Sequence, residues 1–99
     1  MTAHVLTLTM DLRIAAARSL KEKRAVVTPI LEGSRRRYLV AASETGEQDA
    51  HHLAELSFAA VSGSARHTRE VIDTVERFVW SFPEVEVSGA ERYWLEVDR

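Results

Sequence analysis

Between Ala3 and Ile14 the chain alternates, with Leu6, Leu8, Met10 and Leu12 on one side and Val5, Thr7, Thr9 and Asp11 on the other. A period of two sends successive side chains to opposite faces, so this segment can bury a single face only as a β-strand. At Ser19 the period changes to that of a helix. Ser19 suits an N-cap, Glu22 suits the third residue of a capping box, and Leu20, Val27, Ile30 and Leu31 form one apolar stripe. Two residues oppose that helix. Pro29 removes a hydrogen bond and should kink or end it at a cost of ~3 kcal/mol, and Gly33 weakens the turn after it.

The later punctuation fixes the rest. Tyr38 to Ser43 reads as a β run, Glu44-Thr45-Gly46-Glu47 as a turn, and Leu53 to Val61 as a second strand with Ala54, Leu56, Phe58 and Ala60 on one face, the pair forming a hairpin. Ser62-Gly63-Ser64 then opens a helix whose Val71, Ile72, Val75, Phe78, Val79 and Phe82 share a face, and Pro83 stops it. Val85 and Val87, a break at Ser88-Gly89, and Tyr93, Leu95 and Val97 make a final strand with an irregularity in its middle. The order β-α-β-β-α-β, with right-handed crossovers, leads to an α+β class and a ferredoxin-like βαββαβ sandwich. In it a four-stranded antiparallel sheet carries two helices on one face and leaves the other open.

With 99 residues, residues 1–99 form a single ferredoxin-like domain, and 45% hydrophobic content supplies one ordinary core. The absence of cysteine excludes disulfides, thiolate metal sites and cysteine nucleophiles. Apolar stretches fall short of the ~20 residues a membrane span needs, and Met1-Thr2-Ala3-His4 does not resemble a signal peptide, so a soluble, cytoplasmic protein with no membrane partner is expected.

The overall charge of −2 hides an asymmetry. Between Arg18 and Arg37 lie Arg18, Lys21, Lys23, Arg24, Arg35, Arg36 and Arg37, opposed only by Glu22 and Glu32. A basic stripe on an acidic body permits one oriented contact with phosphate. The topology gathers the start of the first helix and the hairpin tip, Glu44 to Asp49, at one end, here called upper. It gathers Arg35, Arg36 and Arg37, the start of the second helix (Arg66, His67, Arg69) and both termini at the lower end.

Cations in the first turns of a helix are unfavourable by ~0.3–1 kcal/mol each, because that end of the dipole is positive. Free N–H groups, the dipole and Lys/Arg side chains together make an anion site suited to phosphate. The opposing reading is an ion-pair network. Lys23 points near the middle of the apolar stripe and must snorkel or find Glu44, Glu47 or Asp49. The arginine run suits a helix C-terminus as a solvated turn and becomes a phosphate-tracking patch only with Arg66 and Arg69 beside it.

Other chemistry is thinly supported. Asp49-Ala50-His51-His52 has ligand-type residues, but adjacent histidines on a strand point to opposite faces, so no metal or other cofactor is expected. No serine sits in a Gly-x-Ser-x-Gly elbow and no Gly-rich phosphate loop occurs, which speaks against an enzyme. Trp80 lies off its helix's apolar stripe, and Trp94 alternates with Tyr93 and Leu95, so exposed aromatics are expected. The open face (Val5, Thr7, Thr9; Glu55, Ser57, Ala59) lacks the paired aromatics that stack RNA bases in domains of this topology, and suits a sheet-to-sheet homodimer better.

Ser19-Leu20-Lys21-Glu22-Lys23-Arg24 and, some twenty residues on, Glu44-Thr45-Gly46-Glu47-Gln48-Asp49 form a specific pair of motifs. With them the chain resembles, over nearly its whole length, the YlxP-like family of small bacterial proteins of unassigned function. The resemblance implies a ferredoxin-like fold and a gene neighbourhood of translation-initiation and ribosome-maturation factors. By matching positions it carries Ser19, Leu20, Lys21, Lys23, Arg24, Glu44, Gly46, Gln48 and Asp49 as the family pattern. His51 stands where relatives commonly have an aromatic, and Pro29 and Gly33 fall in a helix that is usually uninterrupted.

Three functional readings are open. The first is a non-enzymatic accessory protein contacting ribosomal RNA, a ribosomal subunit or other structured RNA through Arg18, Ser19, Lys21, Lys23, Arg24 and the run Arg35, Arg36, Arg37, with Glu44, Gly46, Gln48 and Asp49 as motif partners. The second is a dimeric protein-interaction module whose basic motif is structural. The third is a sensor of a small anion at the start of the first helix.

Overall fold

The computed structural model describes residues 1–99. The elements run β1 (Thr2–Arg13), α1 (Leu20–Tyr38), β2 (Ala41–Gly46), β3 (Leu53–Ser62), α2 (Ala65–Trp80) and β4 (Glu86–Asp98). The four strands form one antiparallel sheet in the order β2-β3-β1-β4, which is the ferredoxin-like arrangement. The alternation seen in β1 becomes burial: Leu6, Leu8, Met10 and Leu12 are inaccessible and pack with Ala54, Leu56, Phe58 and Ala60 of β3 under the helices. From α1 come Val27 and Ile30, and from α2 Ile72, Val75 and Val79. Ser64 caps α2 by accepting from the His67 N–H, as Ser19 caps α1 by accepting from the Glu22 N–H.

Four sequence expectations need correction. Pro29 does not end α1, which continues to Tyr38. Pro29 and Ala25, the residue whose carbonyl it leaves unbonded, are both exposed, so water can serve that carbonyl while Val27 and Ile30 hold the helix to the core on either side. Gly33 is a close approach between helices, since a Cβ there would lie 2.7 Å from Cζ of Phe78. Glu22 does not close a standard capping box, because its carboxylate accepts from the Arg18 N–H at 2.8 Å rather than from the Ser19 N–H.

The fourth concerns the first hairpin strand. Tyr38 is the last helical residue, its ring 5.5 Å from that of Phe78, and Leu39 adopts a left-handed conformation (φ 55°) that turns the chain into β2. The strand then runs through Gly46, so the turn falls at Glu47 to Ala50 rather than over Glu44 to Glu47. Thr45 is an extra residue between the pairs Glu44 with Leu56 and Gly46 with Glu55, a bulge that re-aims the tip. The irregularity expected in the last strand is likewise a bulge, with Ser88 lying between the pairs Asp11 with Gly89 and Leu12 with Val87.

Candidate functional site

The two motifs meet at the upper end through one side chain. Lys23, only 2% exposed, sits at the first buried turn of α1 and sends its Nζ into the hairpin tip. There it lies 2.6 Å from Oε2 of Glu44 and donates to the backbone carbonyls of Glu47 (2.7 Å) and Ala50 (2.8 Å). Two of the three ammonium protons go to the carbonyls, and the buried Glu44 oxygen is held by charge, in ion-pair contact without a hydrogen bond. The tip is shaped to present those carbonyls: Glu47 takes a left-handed conformation (φ 59°), the Ala50 N–H closes on the Glu47 carbonyl at 3.1 Å, and Gln48 Nε2 donates to the Glu44 carbonyl at 3.2 Å. A Cβ on Gly46 would lie 2.7 Å from a carboxylate oxygen of Glu55, so a larger residue there would have to push that side chain aside.

Of the three carboxylates open to Lys23 on sequence grounds, Glu44 is therefore the partner. Glu47 contributes its backbone, and Asp49 is exposed and forms no ion pair. Lys23 is spent within the protein, whereas Arg18, Lys21 and Arg24 are exposed and have no carboxylate within 4.0 Å. These three cations crowd the positive end of the α1 dipole with only Glu22 and the hairpin carboxylates nearby in sequence and fold.

The lower end differs. The end of α1 and the start of α2 are neighbours, with Arg37, Leu39, His67 and Glu70 lining one depression. Each arginine of the run, however, has an intramolecular partner: Arg35 donates to the Ala42 carbonyl, Arg36 lies 3.5 Å from Glu32, and the Arg37 guanidinium sits 5.3 Å from the centre of the Phe78 ring. Arg66 pairs with Glu70 at 3.6 Å, and Arg69 is exposed without a partner.

His51 and His52 lie in the loop before β3, not on a strand, and their rings pack edge to face at 5.3 Å. No three His, Asp or Glu side chains are grouped as metal ligands. On the open face of the central strands, Thr9 and Ser57 join their hydroxyls at 2.9 Å. The exposed apolar surface is concentrated on β4, in Tyr93, Trp94, Leu95 and Val97, together with Val61 and Trp80.

Sequence reasoning missed a three-residue ionic link, Arg92 of β4 to Asp73 (2.7 Å) and Glu76 (2.9 Å) of α2. Burial works against the Arg92 charge, but the hydrogen bonds and charges of Asp73 and Glu76 outweigh it and make this guanidinium more basic than usual. The i, i+3 spacing of the two carboxylates is visible in sequence, but the register that sets Arg92 opposite Leu8, under α2, is not.

The fold defines the class first. Two solved structures, a de novo designed protein with ferredoxin fold, LFR1 1, and the de novo designed protein Foldit4, each superpose with a TM-score of 0.54 at 10% identity. The first match covers 96% of this chain and 86% of the design, the second 98% of both. This is a ferredoxin-like α+β sandwich. The chain belongs to the family described as Protein of unknown function (DUF503), whose model matches residues 5–92. It is also 40% identical over 79 residues, 80% of this chain and 86% of the relative, to Uncharacterized protein YlxP of Bacillus subtilis (strain 168).

Proposed function

We propose that the protein is a non-enzymatic accessory factor that contacts structured RNA, that of a ribosomal subunit first, through phosphates. The contact surface is the start of α1, with Arg18, Lys21 and Arg24 in the leading role and Ser19 capping the helix beneath them; Arg36 and Arg69 lie at the other end of the molecule and are left out of it. The observation that carries the reading is the division of labour in the motif: Lys23 is consumed by the hairpin, and the three cations around it are left exposed without a carboxylate partner. Uncompensated cations at a helix N-terminus cost stability, and an anion there repays that cost. Glu44, Gly46 and Gln48 belong to the support of the surface rather than to its contacts, and the exposed Asp49 carboxylate to neither.

Such contacts fix position and carry no sequence information, so the expected affinity is strongly salt-dependent and tolerant of RNA sequence. The test is fluorescence anisotropy with a structured RNA across a salt series. Replacing Arg18, Lys21 and Arg24 by alanine should lower the slope of log affinity against log salt by about one for every phosphate that is no longer neutralised, with folding retained. An unchanged slope would remove the reading.

A second reading, a protein-interaction module in which the basic motif is structural, is favoured by the burial of Lys23 and by the exposed apolar residues of β4. It is distinguished by binding a protein partner at a salt concentration that abolishes RNA contact. A sensor of a small anion would instead show a Tm raised by phosphate in the absence of RNA.

A further inference from the structure

The two edges of the sheet are unlike. β2 is six residues long and bulged at Thr45, whereas β4 is thirteen residues long, and from Ala90 to Arg99 every residue is exposed. Met1 and Arg99 exchange both backbone hydrogen bonds, the Arg99 N–H to the Met1 carbonyl at 2.8 Å and the Met1 amino group to the Arg99 carbonyl at 3.0 Å. Hydrogen-bonded and non-hydrogen-bonded pairs alternate along an antiparallel ladder. The register runs unshifted from the pair Thr2 with Asp98 to the pair Asp11 with Gly89. It follows that Val97, Leu95, Tyr93 and Glu91 turn their backbone groups toward β1. Ala90, Arg92, Trp94, Glu96 and Asp98 turn theirs outward, where no strand meets them.

Exposed edges are ordinarily guarded by proline, a bulge or charged side chains. The segment from Ala90 to Arg99 has no proline, the bulge at Ser88 lies beyond it, and its five charges, Glu91, Arg92, Glu96, Asp98 and Arg99, are of both signs, so they repel a second copy only in some registers. Beside the free backbone groups stand Tyr93 (70% exposed), Leu95 (58%), Val97 (45%) and Trp94 (45%).

We infer that β4 pairs antiparallel with β4 of a second copy of this chain about a two-fold axis at Leu95, joining two sheets into one of eight strands. The choice of occupant rests on self-complementarity. In that register the open face sets Leu95 against Leu95, Tyr93 against Val97 and Glu91 against Arg99 of the second copy. The other face sets Arg92 against Asp98 and Trp94 against Glu96. Apolar residues meet apolar ones on the open face, and two Glu91–Arg99 pairs form there by symmetry, while Arg92 stays with Asp73 and Glu76 of its own chain; cross-strand pairs of both kinds stabilise a sheet. Moving the axis to Trp94 opposes Glu91 to Val97, and moving it to Arg92 opposes Arg92 to itself. Leu95, whose backbone faces inward, falls in a non-hydrogen-bonded pair, where facing side chains come closest. An isologous interface of this kind closes at the dimer and leaves no free β4 edge. The axis lies toward the termini, so the two α1 starts face opposite ends of the dimer. The pairing is independent of RNA contact.

The test is sedimentation equilibrium on the full chain over a wide concentration range, with three variants. Glu96→Pro removes an outward N–H that the β1 ladder does not use, which an edge strand tolerates, and should leave the chain folded and monomeric. Glu91→Arg faces Arg99 of the second copy twice and should raise the dissociation constant about tenfold. The combined Glu91→Arg/Arg99→Glu exchange should return it to the wild-type value. A wild-type chain that stays monomeric overturns the inference. So does a dimer indifferent to both Glu96→Pro and Glu91→Arg, which would place the interface elsewhere, or an exchange that fails to restore the affinity that Glu91→Arg removed.

Discussion

Replacing Lys23 by methionine keeps the unbranched stem that α1 buries and removes only the ammonium. Its loss leaves the Glu44 carboxylate without its cation and the carbonyls of Glu47 and Ala50 without their donor. Removing one member of a buried pair costs ~3–5 kcal/mol. The Glu44 side chain retains 24% exposure and the carbonyls lie in a surface turn, so water recovers part of that. The expected cost is ~2–3 kcal/mol, which for a domain of this size lowers Tm by ~10–20 °C. Glu44→Gln keeps a neutral acceptor and should cost about half as much. Because the two residues share one interaction, Lys23→Met/Glu44→Gln should be less destabilised than the two single effects summed, by ~1–2 kcal/mol. Urea and thermal unfolding of the four proteins measure the cycle. A loss below ~0.5 kcal/mol for Lys23→Met, the range of ordinary surface changes, or strict additivity, refutes the clasp.

Gly33→Ala gains helix propensity but drives a methyl against the Phe78 ring; overpacking at ~1–3 kcal/mol outweighs a gain of ~0.5–1, so a net loss of ~1 kcal/mol is expected, relieved in Gly33→Ala/Phe78→Leu and read by urea unfolding. Leu39 holds a left-handed conformation while 88% exposed, so Leu39→Gly relieves the strain with little loss of burial and should raise stability by up to ~1 kcal/mol; a lower Tm would contradict this. Arg92→Met breaks a partly exposed link to Asp73 and Glu76 and should cost ~1–2 kcal/mol, a loss that shrinks at high salt, checked by unfolding at two ionic strengths.

The two central strands, β1 and β3, were legible because each buries one face, so that Leu6, Leu8, Met10 and Leu12 announce their side by spacing alone. Ser19 and Ser64 were legible as caps because capping is local. The features that escaped the sequence depend on tertiary context. Pro29 is harmless only because its face of α1 is exposed, and Gly33 looks like a flaw until Phe78 is placed against it. Tyr38 favours strand by type but ends a helix because its ring finds Phe78. Helical spacing already required a partner for Lys23, yet the selection of Glu44 over Glu47 or Asp49 follows from the Thr45 bulge and the left-handed Glu47, which reshape the tip. The cations left over, Arg18, Lys21 and Arg24, could be separated from Lys23 only once that partner was known.

RNA contact by those three residues is tested most directly by co-sedimentation with ribosomal subunits at low and moderate salt, comparing wild type with the folded Arg18→Ala/Lys21→Ala/Arg24→Ala variant and leaving Lys23 untouched. The expected result is that wild type travels with one subunit at low salt, is released at moderate salt, and the variant is released at both. Wild type remaining at the top of the gradient in both conditions, or a variant that sediments as wild type does, would contradict it.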